Sequence, residues 1–456
     1  MLHAYRLMPG RCARDFHAMR HLSLRLRRIA RYRWPLVITG ILVIAAVFSL
    51  PPLVDPANPG ALVTAALRTS MAYQLVAPFS DVLDALSLLS PSQYAATLAL
   101  SATFFLGFCL SRRSRPRTRF VGATAIRDAL RFIGGIIVVV GVGLLASRPM
   151  ASLVLSDPDL IAVDFHSHTA ASHDGRAGFS AERNREWHSS SGYNAAYVTD
   201  HNTFDGALEG ALYNPARSGD GTVLLAGVEL RDGDEHPLLL GVDPKRMRIT
   251  SPDWKDAAVE ADGGPTPPII LLSMPGNIRS IPSAETDGLV RLAGIEISDG
   301  SPRGLAQSAR DRDAIMSTAS ARHLALVSGS DNHGWGRTAP AWSVLRIPGW
   351  REMTPADLDI AIRGTIISKG PSAVQVIARR TASPPTSNAA VPLSGMMVGV
   401  TMLRTMNAGD RLSWITWSWS LCLVSMWAKR KNRRLRWSGT RKRFERKARP
   451  LIDAAA

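Results

Sequence analysis

Apolar and polar positions divide the chain into a central region of short apolar runs and flanks with longer ones. Between residues 160 and 375 the short runs alternate with stretches of mixed polarity, which predicts buried strands separated by helices. The predicted strands are Ile161–Phe165, Asn194–Thr199, Thr222–Leu230, Pro237–Val242, Pro268–Ser273, Gly294–Ile297 and Leu324–Ser328. The predicted helices are Ser180–Ser190, Asp253–Ala261, Gly304–Ala319 and Thr354–Arg363, with Ser180 and Thr354 as N-caps. This alternation implies parallel strands joined by crossover helices, so we expect an α/β fold.

The longer apolar runs are uncharged over a length that can cross a bilayer. Membrane spans are predicted at Trp34–Val54, Tyr94–Leu110, Phe132–Ser147 and Leu412–Ala428. Two further apolar segments, Met71–Ser90 and Ala389–Leu403, are expected to lie at the membrane surface, the first because it contains Asp81 and Asp84. The predicted domains are 1–150 with a basic start and about three spans, 155–380 as the catalytic domain, 381–388 as a linker, and 389–456 as a membrane segment with a basic tail.

The formal net charge of +17 is concentrated in three basic blocks, and the rest of the chain is net acidic. Residues 1–34 contain nine Arg and one Asp, residues 111–119 contain five Arg, and residues 429–449 contain twelve Lys and Arg and one Glu. Because the blocks flank apolar runs, they indicate membrane topology rather than a nucleic-acid partner. We expect a bacterial-type, multi-pass inner-membrane protein that contacts membrane lipid, with residues 150–390 outside the cytoplasm.

The candidate chemistry lies where predicted strands end. His166 and His168 stand at i and i+2 after the first strand, so on an extended chain their side chains share one face. Asp174 follows on an Asp-Gly turn. Two imidazoles on one face and a nearby carboxylate form a metal-ligand arrangement, although one His-x-His pair is also common at a solvated strand end.

Three other predicted strands also finish in metal-binding residue types. One is followed by Thr199-Asp200-His201, a second ends in Glu229, and a third is followed by Asp331-Asn332-His333. Strands that all end in His, Asp or Glu predict a metal site at one end of a barrel of parallel strands.

Together and in this order, the motifs His-x-His, Asp-Gly, Thr-Asp-His, Gly-x-Glu and Ser-Asp-x-His resemble the PHP (polymerase and histidinol phosphatase) family of metal-dependent phosphoesterases. In this chain they read Asp164–Asp174, Thr199–His201, Gly227–Glu229 and Ser330–His333. The resemblance covers about residues 160–375. It implies an α/β fold with a distorted (β/α)7 PHP-type barrel, in this chain flanked by transmembrane helices.

The resemblance also implies three metal positions around one cleft. The first would be held by His166, His168, Glu229 and Asp331, and the third by Asp174, His201 and His333. Glu229 would bridge the first position to the second, for which His236 is the candidate. Such nitrogen and oxygen sets suit two to three Zn²⁺, Mn²⁺ or Fe²⁺ ions better than Ca²⁺. The attacking group would be a metal-bound water held by the first set, which agrees with the position of the three cysteines, Cys12, Cys109 and Cys422, outside the site region.

Three departures from the family pattern bear on these positions. His173 is inserted between Ser172 and Asp174; either His173 or Asp174 could be the ligand, and Asp174 is preferred because it keeps the Asp-Gly turn. His236 resembles the family's His-x-Leu-Leu-Gly element, with an ordinary surface His as the alternative. Met274 stands where the family carries His, and since a thioether is a poor ligand for a hard divalent ion, the second position is expected to bind more weakly.

The remaining polar candidates concern the substrate. Arg337, on a Gly-rich loop, and Arg176, after the Asp-Gly turn, are expected to bind phosphate. Glu296 is expected to support a ligand or contact substrate, while His188 and His323 are interpreted as structural. The sequence thus predicts a membrane-anchored metal-dependent phosphoesterase acting on a phosphomonoester or phosphodiester. The alternatives are a metal-dependent hydrolase of another bond and a membrane-tethered metal- or ligand-binding module; no oligomeric state is specified.

Overall fold

The computed structural model describes residues 32–58, 65–113, 121–145, 148–230, 236–243, 267–273, 291–336, 338–384 and 391–453. The chain forms two compact units, one of Leu50–Met406 and one that combines Met1–Ser49 with Asn407–Ala456. The predicted helix Asp253–Ala261, Met274 and Arg337 lie outside the described residues.

Strands and helices alternate along much of the described chain. The strands are β1 (Leu53–Val54), β2 (Ala65–Thr69), β3 (Ala151–Leu155), β4 (Leu160–Ser167), β5 (Ala195–Val198), β6 (Val223–Glu229), β7 (His236–Leu240), β8 (Ile269–Ser273), β9 (Arg291–Asp299), β10 (Ala325–Gly329), β11 (Ala341–Arg346) and β12 (Val374–Arg379). The helices are α1 (Arg33–Val47), α2 (Met71–Leu75), α3 (Ala77–Ser87), α4 (Pro91–Arg113), α5 (Val121–Leu145), α6 (Ala181–Ser191), α7 (Asp205–Leu212), α8 (Pro302–Ala321), α9 (Pro355–Lys369), α10 (Val391–Thr405) and α11 (Ala408–Asp453).

One ten-stranded sheet organises the larger unit, in the order β1-β12-β11-β4-β5-β6-β7-β8-β9-β10. The pairs β4–β5, β5–β6, β8–β9 and β9–β10 are parallel, as predicted. The prediction of parallel strands throughout is wrong for β7, which is antiparallel to β6 and β8. Only residues 230–235 separate β6 from β7, too few for the crossover that a parallel pair needs. β11 is also antiparallel to its neighbours β4 and β12.

The sheet curls so that the segment after β10 lies beside β4. The Asp331 amide donates to the His166 carbonyl at 2.9 Å, and the His168 amide donates to the Asn332 carbonyl at 3.2 Å. Ser167 and Asn332 form a parallel bridge. The sheet is thus a curled, mixed α/β half-barrel, and its curl brings the ends of β4, β5, β6 and β10 to one edge.

The sheet is buried on both faces around its centre, which explains why β4, β5 and β8 appear in the sequence as unbroken apolar runs. Phe165 and Tyr197 stack inside it with ring centroids 5.6 Å apart. Helices cover the outer face, and both predicted N-caps are confirmed. Ser180 Oγ accepts from the Arg183 amide and Thr354 Oγ1 from the Asp357 amide.

The flanking apolar segments are helical in large part. Tyr94–Leu110 lies within α4, and most of Phe132–Ser147 lies within α5. Over the ranges that the structure describes, no helix is both long enough and apolar enough to span a membrane. The predicted spans therefore have no support in the described helices; α1, for example, ends at Val47 and has only 15 residues.

Two segments expected at the membrane surface pack against protein. In α10, Ser394 and Thr401 are buried, and a Cβ on Gly395 would lie 2.9 Å from the Ala96 carbonyl oxygen of α4. In α3, Asp81 and Asp84 are buried within the protein. The predicted linker has no helix or strand at residues 381–384, and 385–388 lie outside the described residues.

Candidate metal centre

Four side chains converge at the curled edge of the sheet, and we call them the inner set: His166, His168, Glu229 and Asp331. His166 Nε2 lies 3.0 Å from both His168 Nε2 and Glu229 Oε2. His168 Nε2 lies 3.1 Å from Glu229 Oε2 and 3.2 Å from Asp331 Oδ1. Four atoms bound to one tetrahedral ion at about 2.0–2.1 Å are separated by roughly 3.3 Å, so this spacing fits one divalent ion.

The backbone around Asp331 holds its side chain in this position. Asp331 has a φ of 46°, in the left-handed region that non-glycine residues adopt rarely and often at functional sites. Besides the hydrogen bond from the Asp331 amide to His166, the Ser330 amide donates to Asp164 Oδ1 at 2.9 Å. The loop after β10 is thus hydrogen-bonded directly to the strand that carries the two histidines.

A second group, the outer set, contains Asp174, His201 and His333. Asp174 Oδ2 lies 3.1 Å from His333 Nε2 and 3.4 Å from His201 Nε2. The Asp174 side chain is 42% exposed, whereas no inner-set side chain exceeds 10%, so the outer set lies at the mouth of the site. The turn that carries Asp174 requires Gly175, since a Cβ there would lie 1.9 Å from the Thr169 carbonyl oxygen.

The two sets adjoin each other. His201 Nδ1 lies 3.5 Å from Glu229 Oε2, and His333 Nδ1 lies 3.4 Å from Asp331 Oδ1. The His333 ring stacks on the His168 ring with centroids 4.0 Å apart. Glu229 and Asp331 therefore face both sets.

His236 reaches the same carboxylate from β7. Its Nδ1 lies 2.6 Å from Glu229 Oε1, while Glu229 Oε2 faces the inner set. The structure thus brings His236 beside Glu229, and its assignment to the second metal position stays a prediction.

The inserted His173 lies at the rim. Its side chain is 72% exposed and its Nδ1 is 4.0 Å from Asp174 Oδ1, although its ring lies 4.9 Å from that of His201. Asp174 makes the close contacts with both outer-set histidines. It is held by Ser172, whose Oγ donates to Asp174 Oδ1 at 2.7 Å.

The electrostatics of the inner set favour a positive charge. Burial alone would lower the pKa of His166 and His168, but the nearby carboxylates outweigh it and raise both, that of His168 to about 9. Burial alone would raise the pKa of Glu229 and Asp331, but the imidazoles hold both pKa values low, that of Asp331 at about 2.

The outer-set groups behave differently. Burial lowers the pKa of His201 to about 4 and lowers that of His333, which favours the neutral imidazole that binds metals. Burial alone would raise the pKa of the Asp174 carboxyl, but the Ser172 hydroxyl and His333 outweigh it, so that pKa is lowered.

The residues present fit divalent metal ions. His166 Nε2 and His168 Nε2 face each other and two carboxylate oxygens, and a neutral imidazole pair cannot satisfy all four atoms with its protons. Among the described residues, the buried His168 Nδ1 also lacks a hydrogen-bond partner. Imidazole and carboxylate donors are those that Zn²⁺, Mn²⁺ and Fe²⁺ accept.

Behind the inner set lies a buried carboxylate, Glu296. Its Oε1 is 3.3 Å from His166 Nδ1. Ser273 Oγ approaches the same nitrogen at 3.1 Å. A carboxylate facing the far nitrogen of a histidine orients that ring toward a metal, so Glu296 is suited to support His166.

Two polar residues beside the inner set make hydrogen bonds that sequence reasoning did not describe. His188, interpreted as structural, pairs its Nε2 with Asp164 Oδ2 at 2.8 Å beneath the first strand's end. Asp200 accepts from the Thr169 amide at 2.6 Å and from its hydroxyl at 2.7 Å. His323 lies away from the metal ligands, near Gly370. His188 and Asp200 hold backbone segments, a function for which no local sequence signal exists.

Arg176 lies beside the outer set. Its amide donates to the His333 carbonyl at 2.9 Å and its Nη1 donates to the Gly334 carbonyl at 3.3 Å. Its guanidinium carbon is 5.4 Å from the centre of the Trp335 ring, which sequence reasoning did not single out. Arg337, the other predicted phosphate ligand, lies outside the described residues.

No protein-family model and no curated protein matches the chain. Among solved structures, PsfC from Pseudomonas syringae is 15% identical with a TM-score of 0.35, over 54% of this chain and 99% of that one. The lesion-specific endonuclease PfuEndoQ from Pyrococcus furiosus is 16% identical with a TM-score of 0.33, over 48% of this chain and 57% of that one. A two-domain protein from Bacteroides vulgatus, described as containing a predicted PHP-like metal-dependent phosphoesterase, is 15% identical with a TM-score of 0.27, over 45% and 63%. Because all three TM-scores are low, we base the functional assignment on the geometry of the site.

Proposed function

We propose that the chain is a metal-dependent phosphoesterase that hydrolyses a phosphomonoester or a phosphodiester. The observation that carries the proposal is that two carboxylates face both ligand sets. Glu229 Oε2 lies 3.0 Å from His166 Nε2 and 3.5 Å from His201 Nδ1. Asp331 Oδ1 lies 3.2 Å from His168 Nε2 and 3.4 Å from His333 Nδ1. Neighbouring ion positions are a recurring feature of sites that hydrolyse phosphate esters.

Different residues of the site have different roles in metal binding. The inner and outer sets would hold two ions side by side, and Glu296 would keep the His166 ring aimed at the first. When bound, divalent ions of this kind polarise the phosphate, activate a water and stabilise the leaving oxygen. Water as the attacking group is consistent with the sequence, which has no cysteine between residues 110 and 421.

Arg176 supplies a positive charge where an anionic substrate would enter. Its contacts with His333, Gly334 and Trp335 hold the guanidinium beside the exposed outer set. A planar guanidinium suits phosphate oxygens, so we assign Arg176 to substrate binding.

Turnover by the purified full-length protein tests this function. With Mn²⁺ present, we expect hydrolysis of p-nitrophenyl phosphate or bis-p-nitrophenyl phosphate, and none after EDTA treatment. Asp331→Asn should be inactive, whereas Asp313→Asn, which changes an exposed carboxylate on α8, should keep wild-type activity.

Two outcomes would replace the proposal. Hydrolysis of p-nitrophenyl acetate without hydrolysis of either phosphate would indicate a metal-dependent hydrolase of another bond. Bound metal with no turnover of any ester in the panel would indicate a metal- or ligand-binding module.

We further propose that the catalytic unit lies outside the cytoplasm and is anchored through the apolar flanks. Large apolar side chains on α4 and α5 are exposed, among them Phe104, Leu106, Ile137 and Val138. The expected topology places residues 55–93 and 150–390 on the same side of the membrane. This arrangement allows Asp84 and Arg379, one from each range, to form their ion pair. Alkaline phosphatase fused after Ser383 should be active. An inactive fusion there, together with an active fusion at the C-terminus, would overturn this topology.

A further inference from the structure

A buried ion cluster joins helix α3 to the catalytic sheet. We call it the Asp84 cluster; it contains Tyr73, Asp84, Arg148, Thr338 and Arg379. Asp84 Oδ1 accepts from Arg148 Nη1 and, at 2.9 Å, from the Thr338 hydroxyl. Asp84 Oδ2 accepts from Arg379 Nη1 at 2.7 Å, and the Tyr73 hydroxyl, which has one proton, lies 3.0 Å from both Asp84 Oδ2 and Asp81 Oδ1. The side chains of Asp84, Arg148 and Arg379 are each less than a tenth exposed.

Stability alone is a weak reason for such a cluster. Removing charges from water costs several kcal/mol per ion, and well-packed apolar residues of similar volume are often at least as stabilising. Buried ion pairs instead fix one arrangement of the segments they join in some proteins. The question is therefore which segment the Asp84 cluster fixes.

Thr338 is the member of the cluster closest in sequence to the metal centre. Only four residues separate it from His333 of the outer set. Its hydroxyl donates to Asp84 and accepts from Arg148 Nη2 at 2.8 Å, so both of its hydrogen-bonding roles are used within the cluster. Two residues further on, the Pro340 carbonyl accepts from the Arg379 amide at 2.8 Å.

The other end of this short stretch is held by the site itself. The His333 carbonyl accepts from the Arg176 amide at 2.9 Å, and the Gly334 amide donates to Asn332 Oδ1 at 2.9 Å. His333 and Trp335 therefore lie between one anchor made by the catalytic unit's own loop and a second anchor supplied by α3.

We propose that Asp84 is a positioning residue for the metal centre: through Thr338 it fixes the stretch that carries His333 and Trp335. Helix α3, which precedes the catalytic domain in sequence, then supports the position of the outer-set ligand His333. The effect of this anchoring on catalysis rests on the proposed function, whereas the anchoring of the stretch that carries His333 and Trp335 does not.

The test compares Thr338→Val, which removes the hydroxyl and keeps the shape, with Thr338→Ser, which keeps the hydroxyl. In the full-length protein, Thr338→Val should speed hydrogen exchange in peptides covering residues 331–341. It should weaken Mn²⁺ binding to the outer set about 10-fold, the low end of the range for losing a group that supports a ligand directly, because Thr338 acts on His333 only through the chain. Binding to the inner set should be unchanged. Thr338→Ser should keep both the exchange rate in residues 331–341 and the Mn²⁺ affinity of the outer set at wild-type values.

Tyr73→Phe is the matched control, because it removes a hydroxyl that lies beside Asp84 and Asp81 without touching the stretch after His333. It should leave exchange in residues 331–341 unchanged. Asp84→Asn and Thr338→Ala are further variants that should reproduce the Thr338→Val effect.

The proposal is overturned if Thr338→Val leaves both exchange and metal affinity at wild-type values, or if Tyr73→Phe produces the same changes. Exchange and metal binding are both measured without substrate. An absence of phosphoesterase activity would therefore refute the proposed function without deciding this test.

Discussion

Two buried clusters of charged side chains in the larger unit obtain the countercharge for their carboxylates from different sources. In the Asp84 cluster, the carboxylate faces two arginines and the Thr338 hydroxyl, so the chain supplies its own countercharge, although Arg148 Nε and Arg379 Nε and Nη2 have no hydrogen-bond partner among the described residues. In the inner set, Glu229 and Asp331 face two imidazoles whose Nε2 atoms also face each other. The contrast is between a carboxylate paired with permanent protein cations and carboxylates paired with imidazoles at a spacing that fits a cation from solution.

Asp331→Asn should have the largest effect, because it removes a charge that faces both ligand sets. We expect loss of nearly all turnover and of the tightly held inner-set metal. Far-UV circular dichroism should stay close to wild type, since Asn tolerates the left-handed φ of 46° better than most residues. Full activity in this variant would show that the inner set is not the catalytic centre.

Asp84→Asn should have the next largest effect, which is a decrease in the free energy of unfolding. It leaves two buried guanidinium groups without their partner, which typically costs about 3–5 kcal/mol in the free energy of unfolding. Urea denaturation should show this loss with EDTA and a larger loss with Mn²⁺, because the variant binds Mn²⁺ more weakly in the outer set and gains less stability from it. Asp313→Asn is the control and should change little. A loss that is smaller with Mn²⁺ than with EDTA would contradict the role assigned to Asp84.

Metal should stabilise the wild type by a smaller amount. At a Mn²⁺ concentration of about 100 times the dissociation constant, binding to the folded state alone adds about 2.7 kcal/mol. The measurement is thermal or urea unfolding across a Mn²⁺ titration. We expect much less stabilisation in Asp331→Asn; equal stabilisation in both proteins would place the bound metal elsewhere.

The smallest effect concerns pH. Burial alone would raise the pKa of Asp84, but Arg379 and Arg148 outweigh it, so the pKa is lower in the folded protein than in the unfolded chain. The stabilisation that ionised Asp84 contributes is therefore fully present above its pKa in the unfolded chain, about 3.9. This stabilisation is lost as pH falls through the lower pKa of the folded protein. The stability difference between wild type and Asp84→Asn should be constant from neutral pH down to about pH 5 and shrink below about pH 4. A difference that grows on acidification would contradict the assigned pairing.

The metal centre could be predicted to the extent that its motifs are local. His166 and His168 share a strand face because of a two-residue period, and Asp331 and His333 follow one apolar run. The structure brings together all seven residues expected in the first and third positions, and adds His236 beside Glu229. The ligand roles themselves stay predictions until metal is measured.

Other features depend on contacts between distant parts of the chain and left no local signal. The direction of β7 is set by its neighbours, and strands β11 and β12 were missed because polar residues such as Ser343 and Gln375 interrupt their apolar pattern. Asp84 was interpreted as a membrane-surface carboxylate because its partner Arg379 lies 295 residues away.

The most direct measurement is the number of Mn²⁺ or Zn²⁺ ions held per chain by the purified full-length protein, compared with Asp331→Asn and Asp174→Asn. We predict about two tightly bound ions in the wild type, one for each mixed nitrogen and oxygen set. Asp174→Asn should lose the outer-set ion and keep the inner one, whereas Asp331→Asn should lose the inner-set ion. A wild-type protein that binds no divalent ion, or one whose metal content is unchanged in both variants, would contradict the account.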